Sequence, residues 1–141
     1  MSEHAWSWTV RTSFPSRLGA HDACMREVLA QLEQLGWGCS ELFAIQMALE
    51  ESLTNAIRHG NRCDEAKLVR VECRLSPERF WLQVEDEGPG FDPDTVPDCT
   101  AEENLDRCGG RGLALIKAFM TRVEYNDRGN SVTMEKHRVA S

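Results

Sequence analysis

Two runs of alternating apolar and polar residues, Lys67–Leu75 and Arg79–Glu85, are separated only by Ser76-Pro77-Glu78. Strands joined by so tight a turn favour antiparallel pairing. A second pair, Arg122–Asn126 and Ser131–His137, flanks Asp127-Arg128-Gly129-Asn130, which carries a hairpin turn signal. Residues 6–14 also alternate, and Pro15 ends that run. Helical spacing governs what lies between. From about Asp22 to Leu35, Met25, Val28, Leu29, Leu32 and Leu35 recur on one face, and Gly36 and Gly38 close the helix. Ser40 is a good N-cap for a second helix, expected from about Glu41 to His59, with Gly60 at the C′ position.

The order β, α, α, β, β, lid, α, β, β predicts an α/β fold, specifically an α+β two-layer sandwich. Its sheet is expected to be mixed but mostly antiparallel, with helices covering one face. The lid is residues 88–109, which have no apolar stripe but hold Pro89, Pro93, Pro97 and many acids. Such a segment in a compact domain is usually a functional lid or disordered. Helical pattern returns at about Gly112–Met120. A chain of 141 residues with no repeat and no linker is expected to form a single domain, 1–141, large enough to bury a core without staples.

Charge and apolar content exclude several classes. A formal net charge of −7 argues against direct nucleic-acid binding. No apolar run approaches the roughly 18 residues that cross a bilayer, so no membrane role is expected. Met-Ser-Glu-His-Ala-Trp lacks the pattern of an export signal, so a cytoplasmic location is expected. The six cysteines show no C-x-x-C spacing and are expected to be scattered, mostly buried thiols.

Three segments are candidates for chemistry. The first is Glu51-Ser-Leu-Thr-Asn55-Ala-Ile-Arg-His59-Gly60-Asn61. Glu51 and Asn55 are four apart and project from one helical face. On that face Ala44 and Ala48 are small enough to leave room for a ligand, opposite a core stripe of Leu42, Ile45, Leu49, Leu53, Ala56 and Ile57. The alternative is a solvated back face, where Glu and Asn are common. The second is Asp86-Glu-Gly88-Pro-Gly90-Phe91, directly after a strand. Its glycines allow close approach of a flat ligand, and a carboxylate there can accept a hydrogen bond from an exocyclic amine. The alternative is a simple turn. The third is Gly109-Gly110-Arg111-Gly112-Leu113, which opens a helix whose unpaired N–H groups suit an anion. His21-Asp22 reads as the start of the first helix.

Taken together the three segments resemble the N, G1 and G2 boxes of the GHKL (Bergerat-fold) ATPase superfamily. The match is nearest to the small bacterial anti-sigma factor serine/threonine kinases and spans nearly the whole chain. The resemblance implies ATP and Mg²⁺ as cofactors. It implies that Asn55 coordinates Mg²⁺, Asp86 binds the adenine amino group, and Gly88 and Gly90 lie near base and sugar. Gly110 and Gly112, with Arg111 and Leu113 in the same box, would face the phosphates, and residues 92–109 would be the ATP lid. Glu51 would be the general base that takes the proton of an attacking serine or threonine hydroxyl. Glu50, displaced about 100° around the helix, faces away from Asn55. His59 is in the matched N box; at a helix C-terminus it also suits the dipole. Arg107 or Arg111 would steady the γ-phosphate. Where many relatives carry threonine after the last hairpin's glycine, this chain has Asn130-Ser131.

The resemblance further implies two partners, a sigma factor to sequester and an anti-sigma-factor antagonist of the STAS type to phosphorylate, and it leaves a homodimer open. Two other functions fit the same boxes. One is an ATP-binding regulatory module without kinase activity. The other is a detached histidine-kinase catalytic domain, whose product would be acid-labile.

Overall fold

The computed structural model describes residues 6–88, 120–126 and 130–138. The five strands are β1 (Trp8–Pro15), β2 (Leu68–Leu75), β3 (Arg79–Glu85), β4 (Arg122–Tyr125) and β5 (Ser131–His137). They form one sheet in the order β1-β2-β3-β5-β4. Among the described residues every pairing is antiparallel, where a mixed but mostly antiparallel sheet was expected. The tight Ser76–Glu78 connection joins β2 to β3, which favours antiparallel pairing. β1 extends to Pro15 instead of stopping before it. An edge strand tolerates proline because the missing N–H interrupts no second ladder.

Period-two alternation gives the sheet two unlike faces. Phe14, Val69, Val71, Cys73, Leu75, Phe80, Leu82, Val84, Val132 and Met134 point into the core. The opposite face is a polar lattice. Arg11 reaches Glu72 at 3.4 Å and Arg79 reaches Glu135 at 3.2 Å. The Arg74 guanidinium is 4.5 Å from the centre of the Trp81 ring. Hydrogen bonds from Arg74, aided by Arg11, hold the Glu72 carboxyl below the usual carboxylate range.

Two helices, α1 (Asp22–Gln34) and α2 (Cys39–Asn55), cover the apolar face. Each fully buried Leu or Ile here, such as Leu32, Ile45, Leu49 and Leu53, contributes about 1.5–3 kcal/mol of burial. α1 ends in a two-bond reverse turn. Gly36 takes φ +90°, its N–H donates to Glu33 O at 3.0 Å, and Trp37 N–H donates to Leu32 O at 3.2 Å. Buried Trp37 then donates its indole N–H to Ser76 O at 3.0 Å, tying the helices to the β2–β3 turn.

α2 departs from expectation at both ends. It begins at Cys39 with Gly38 as N-cap, so Ser40 is already helical. It stops at Asn55, and Ala56–Gly60 form a π-helical turn instead of an α-helical continuation to His59. The turn is closed by Asn61 N–H donating to Ala56 O at 2.9 Å. Its widened step inserts the equivalent of one residue. Gly60 is not left-handed, so it is not a C′ glycine; the left-handed residues come later, Arg62 (φ 52°) and Cys63 (φ 58°).

Candidate functional site

The sheet and helices have two distinct ends. β1 and β3 finish at the end where β2 and β5 begin, and α2 reaches its last turn there. The Glu51–Asn61 segment, the Asp86 turn and Asn130 are brought together at this end.

On α2, Glu51 and Asn55 are both half-buried, neither a solvated back face nor core. Ala44 and Ala48, expected beside them as open space for a ligand, are buried, and Ala48 belongs to the hydrophobic core. The expected stripe is otherwise present, with Ile45, Leu49, Leu53, Ala56 and Ile57 buried and Leu42 half-buried.

Glu50 is committed elsewhere. Its Oε2 is 3.0 Å from Nε2 of His21, a buried residue at the N-cap position of α1, and Asp22 Oδ1 lies 3.5 Å from the same nitrogen. His21 Nδ1 is buried with no hydrogen-bond partner among the described residues. The pair joins the start of α1 to the last turns of α2, and it leaves Glu51 as the acid next to Asn55 in the helical repeat. His59 is exposed in the π turn.

The Asp86 turn is where the structure is most specific. Gly88 N–H donates to Asp86 Oδ1 at 2.8 Å, which fixes the carboxylate over its own backbone. Gly60 from the π turn abuts the same carboxylate. A methyl on Gly60 would be 2.7 Å from Asp86 Oδ1 and closer still to Cγ and Oδ2. A methyl on Gly88 would be 2.6 Å from the carbonyl carbon of Gly60. Two glycines therefore meet at the carboxylate because no side chain fits between the segments.

Asn130 holds Asp86 from the sheet side. Asp86 N–H donates to Asn130 O at 2.9 Å, and Asn130 Nδ2 donates to Asp86 O at 2.9 Å. Asn130 Oδ1 accepts from Asn126 Nδ2 at 2.8 Å, and Asn126 Oδ1 accepts from the N–H groups of Asn130 and Ser131 at 3.1 and 3.2 Å. The Asn130 amide thus supports the Asp86 backbone.

Asn61 closes the first candidate segment, but its actual partners are not legible in the sequence. It is buried, and it donates to Ser16 Oγ at 2.7 Å and Leu68 O at 3.0 Å while accepting from Glu87 N–H at 2.7 Å. An asparagine at a helix end reads as an ordinary turn former; nothing local to the sequence marks these distant partners. Gly90, Gly110, Arg111, Gly112, Leu113, Arg107 and the lid 92–109 lie outside the described residues. Of the described cysteines only Cys73 is buried, Cys24 is half-buried, and Cys39 and Cys63 are exposed, so the expectation of mostly buried thiols fails at the start of α2 and in the segment between the π turn and β2. Burial pushes the Cys73 thiol well above its ordinary range. Among the described residues no three His, Cys, Asp or Glu side chains cluster as a metal site, and no helix is long and apolar enough to cross a membrane.

An antiparallel sheet covered on one face by two helices, with an acid and an amide on one helix leading into a glycine-lined carboxylate turn, defines an α+β class with its polar groups gathered at one end. The chain belongs to the histidine kinase-like ATPase domain family, whose sequence pattern matches residues 14–136. It is 34% identical over 115 residues to the anti-sigma F factor of Clostridium perfringens strain 13, covering 77% of this chain and 81% of that protein. It is 29% identical over 109 residues to the serine-protein kinase RsbW of Listeria monocytogenes strain EGD-e, covering 72% and 69% respectively. Among solved structures it resembles the RsbU and RsbW domains of Rv1364c from Mycobacterium tuberculosis, with a TM-score of 0.56 and 18% identity. That likeness covers 94% of this chain but 32% of the larger one, and it bears on the fold alone.

Proposed function

We propose that this chain is an ATP-dependent protein serine/threonine kinase that acts as an anti-sigma factor. It would sequester a sigma factor and phosphorylate a serine on an anti-sigma-factor antagonist. The observation that carries this reading is structural: the Glu51–Asn55 helix feeds, through Gly60, into contact with the Asp86 carboxylate. The names of its relatives, anti-sigma F factor and serine-protein kinase, supply the class of reaction.

The residues fit an adenine nucleotide. Asp86 presents a carboxylate oriented by Gly88 N–H, suited to accept a hydrogen bond from the adenine amino group. Gly60 and Gly88 remove side chains from that wall. Asn55 and Glu51 offer oxygen donors, the ligand type that Mg²⁺ takes, and Asn55 is the residue assigned to the ion. Mg²⁺ when bound would neutralise phosphate charge, which is most of what phosphoryl transfer requires. Gly110 and Gly112 would supply backbone donors to the phosphates, Arg111 a cation to the γ-phosphate, and Gly90, His59 and Leu113 the remaining walls. Glu51 would accept the proton of the substrate hydroxyl as its oxygen bonds to the γ-phosphorus and the bond to the ADP oxygen breaks.

The test is transfer from Mg-ATP to a purified antagonist domain, giving an acid-stable phosphoserine. Glu51→Gln is expected to lower transfer by about 10²–10⁴-fold while retaining ATP. Asn55→Ala is expected to weaken Mg-ATP binding. Full transfer by the Glu51 variant removes the assigned base. An acid-labile product would indicate a histidine kinase, and ATP binding with no transfer a regulatory module.

A further inference from the structure

The Asp86 turn is held from two sides, and only one of them is the sheet. Upstream, Asn130 takes both backbone groups of Asp86. Downstream, Glu87 N–H donates to Asn61 Oδ1 at 2.7 Å. Asn61 is in turn immobilised. Its Nδ2 donates to Leu68 O and to Ser16 Oγ, and the Ser16 hydroxyl donates onward to Lys67 O at 2.8 Å. Leu68 N–H returns to Glu87 Oε2. Every polar atom of the Asn61 amide is satisfied away from water, the condition under which such a network fixes geometry instead of loosening it. The π turn explains how Asn61 arrives there, since its N–H closes that turn on Ala56 O.

We propose that Asn61 is a positioning residue for nucleotide recognition. By fixing the Asp86–Glu87 peptide it sets where the Asp86 carboxylate meets the base, and so it sets the preference for adenine over guanine. This rests on the reading of Asp86 as the adenine-binding residue given above. Guanine presents a carbonyl where adenine presents its amino group, so a carboxylate held in place favours adenine and disfavours guanine, while a displaced one does neither well. The side chain of Asn61 bonds to Ser16, Leu68 and Glu87 and not to Glu51 or Asn55, so its loss is expected to spare the transfer step.

The experiment measures ATP and GTP affinities by competition against a fluorescent ATP analogue, with steady-state kinase kinetics and thermal unfolding, for wild type, Asn61→Ala, Ser16→Ala and Asp86→Asn. Asn61→Ala is expected to raise KM for ATP about tenfold, the scale of one or two lost buried hydrogen bonds, with kcat within about twofold of wild type. The ATP-to-GTP affinity ratio is expected to fall by a similar factor. Ser16→Ala, which removes one acceptor of the Asn61 amide, shifts the ratio the same way by less and serves where Asn61→Ala does not fold. A lowered unfolding temperature with ratio and KM unchanged in either folded variant would overturn the proposal, showing Asn61 to be structural only. If instead Asp86→Asn keeps the wild-type ratio, the fault lies in the reading of Asp86, and the positioning role falls with it.

Discussion

Gly60 and Gly88 meet around one carboxylate, and their substitution is not equivalent. An added methyl at Gly60 strikes the Asp86 carboxyl group, which can rotate aside by giving up its bond from Gly88 N–H. The same methyl at Gly88 strikes the backbone of Gly60, which has no rotamer to change. Gly60→Ala is therefore expected to cost about 1 kcal/mol of stability and most of the ATP affinity, and Gly88→Ala about 3 kcal/mol together with ATP binding. Denaturant titration beside nucleotide binding checks both; equal stability losses would contradict the distinction. Both glycines stood out in the sequence, but Gly60 for the wrong reason. It reads as a helix terminator, while its real constraint is a neighbour 26 residues further along that no local rule can supply. The partners of Asn61 were hidden in the same way, whereas the turn at Asp86 was legible because a carboxylate followed by glycines after a strand announces itself locally.

Among elements, the π turn at Ala56–Gly60 is the one on which the proposed role of Asn61 rests. Removing one exposed residue from it, Arg58, should restore α-helical bonding and rotate all that follows by about 100°. Asn61 would then leave Ser16, Leu68 and Glu87, and Gly60 would leave Asp86. The Arg58 deletion is expected to fold with α1, α2 and the sheet intact by circular dichroism, yet bind ATP at least tenfold more weakly; unchanged affinity would show the turn to be incidental. Strands were legible almost to the residue, β3 and β5 without error, because period-two patterning and tight turns are local properties. The end of α2 was not, since α and π turns share the same apolar spacing and differ only in what the next segment is bonded to.

For the whole molecule, thiol chemistry separates local exposure from global opening. Cys39 and Cys63 are exposed, while Cys73 is fully buried on β2 with its thiol pushed well above its ordinary range. The thiolate is the reactive form, so raising the pH should not bring Cys73 into reach while the sheet is intact. With iodoacetamide, Cys39 and Cys63 are expected to be alkylated in native buffer, and Cys73 only at the denaturant concentration that unfolds the chain; peptide mapping of the labelled sites would tell. Early labelling of Cys73 would mean that β2 opens apart from the rest. The end of the fold remote from Asp86 has its own consequence. Trp6 lies over Arg79, 4.8 Å from its guanidinium carbon, and Arg138 N–H donates to Glu78 O at 2.8 Å. Trp6 and Arg138 thus both lie against the β2–β3 turn. One turn anchors the helices through Trp37, the exit from β5 through Arg138 and the approach to β1 through Trp6, a single clasp at the end opposite Asp86.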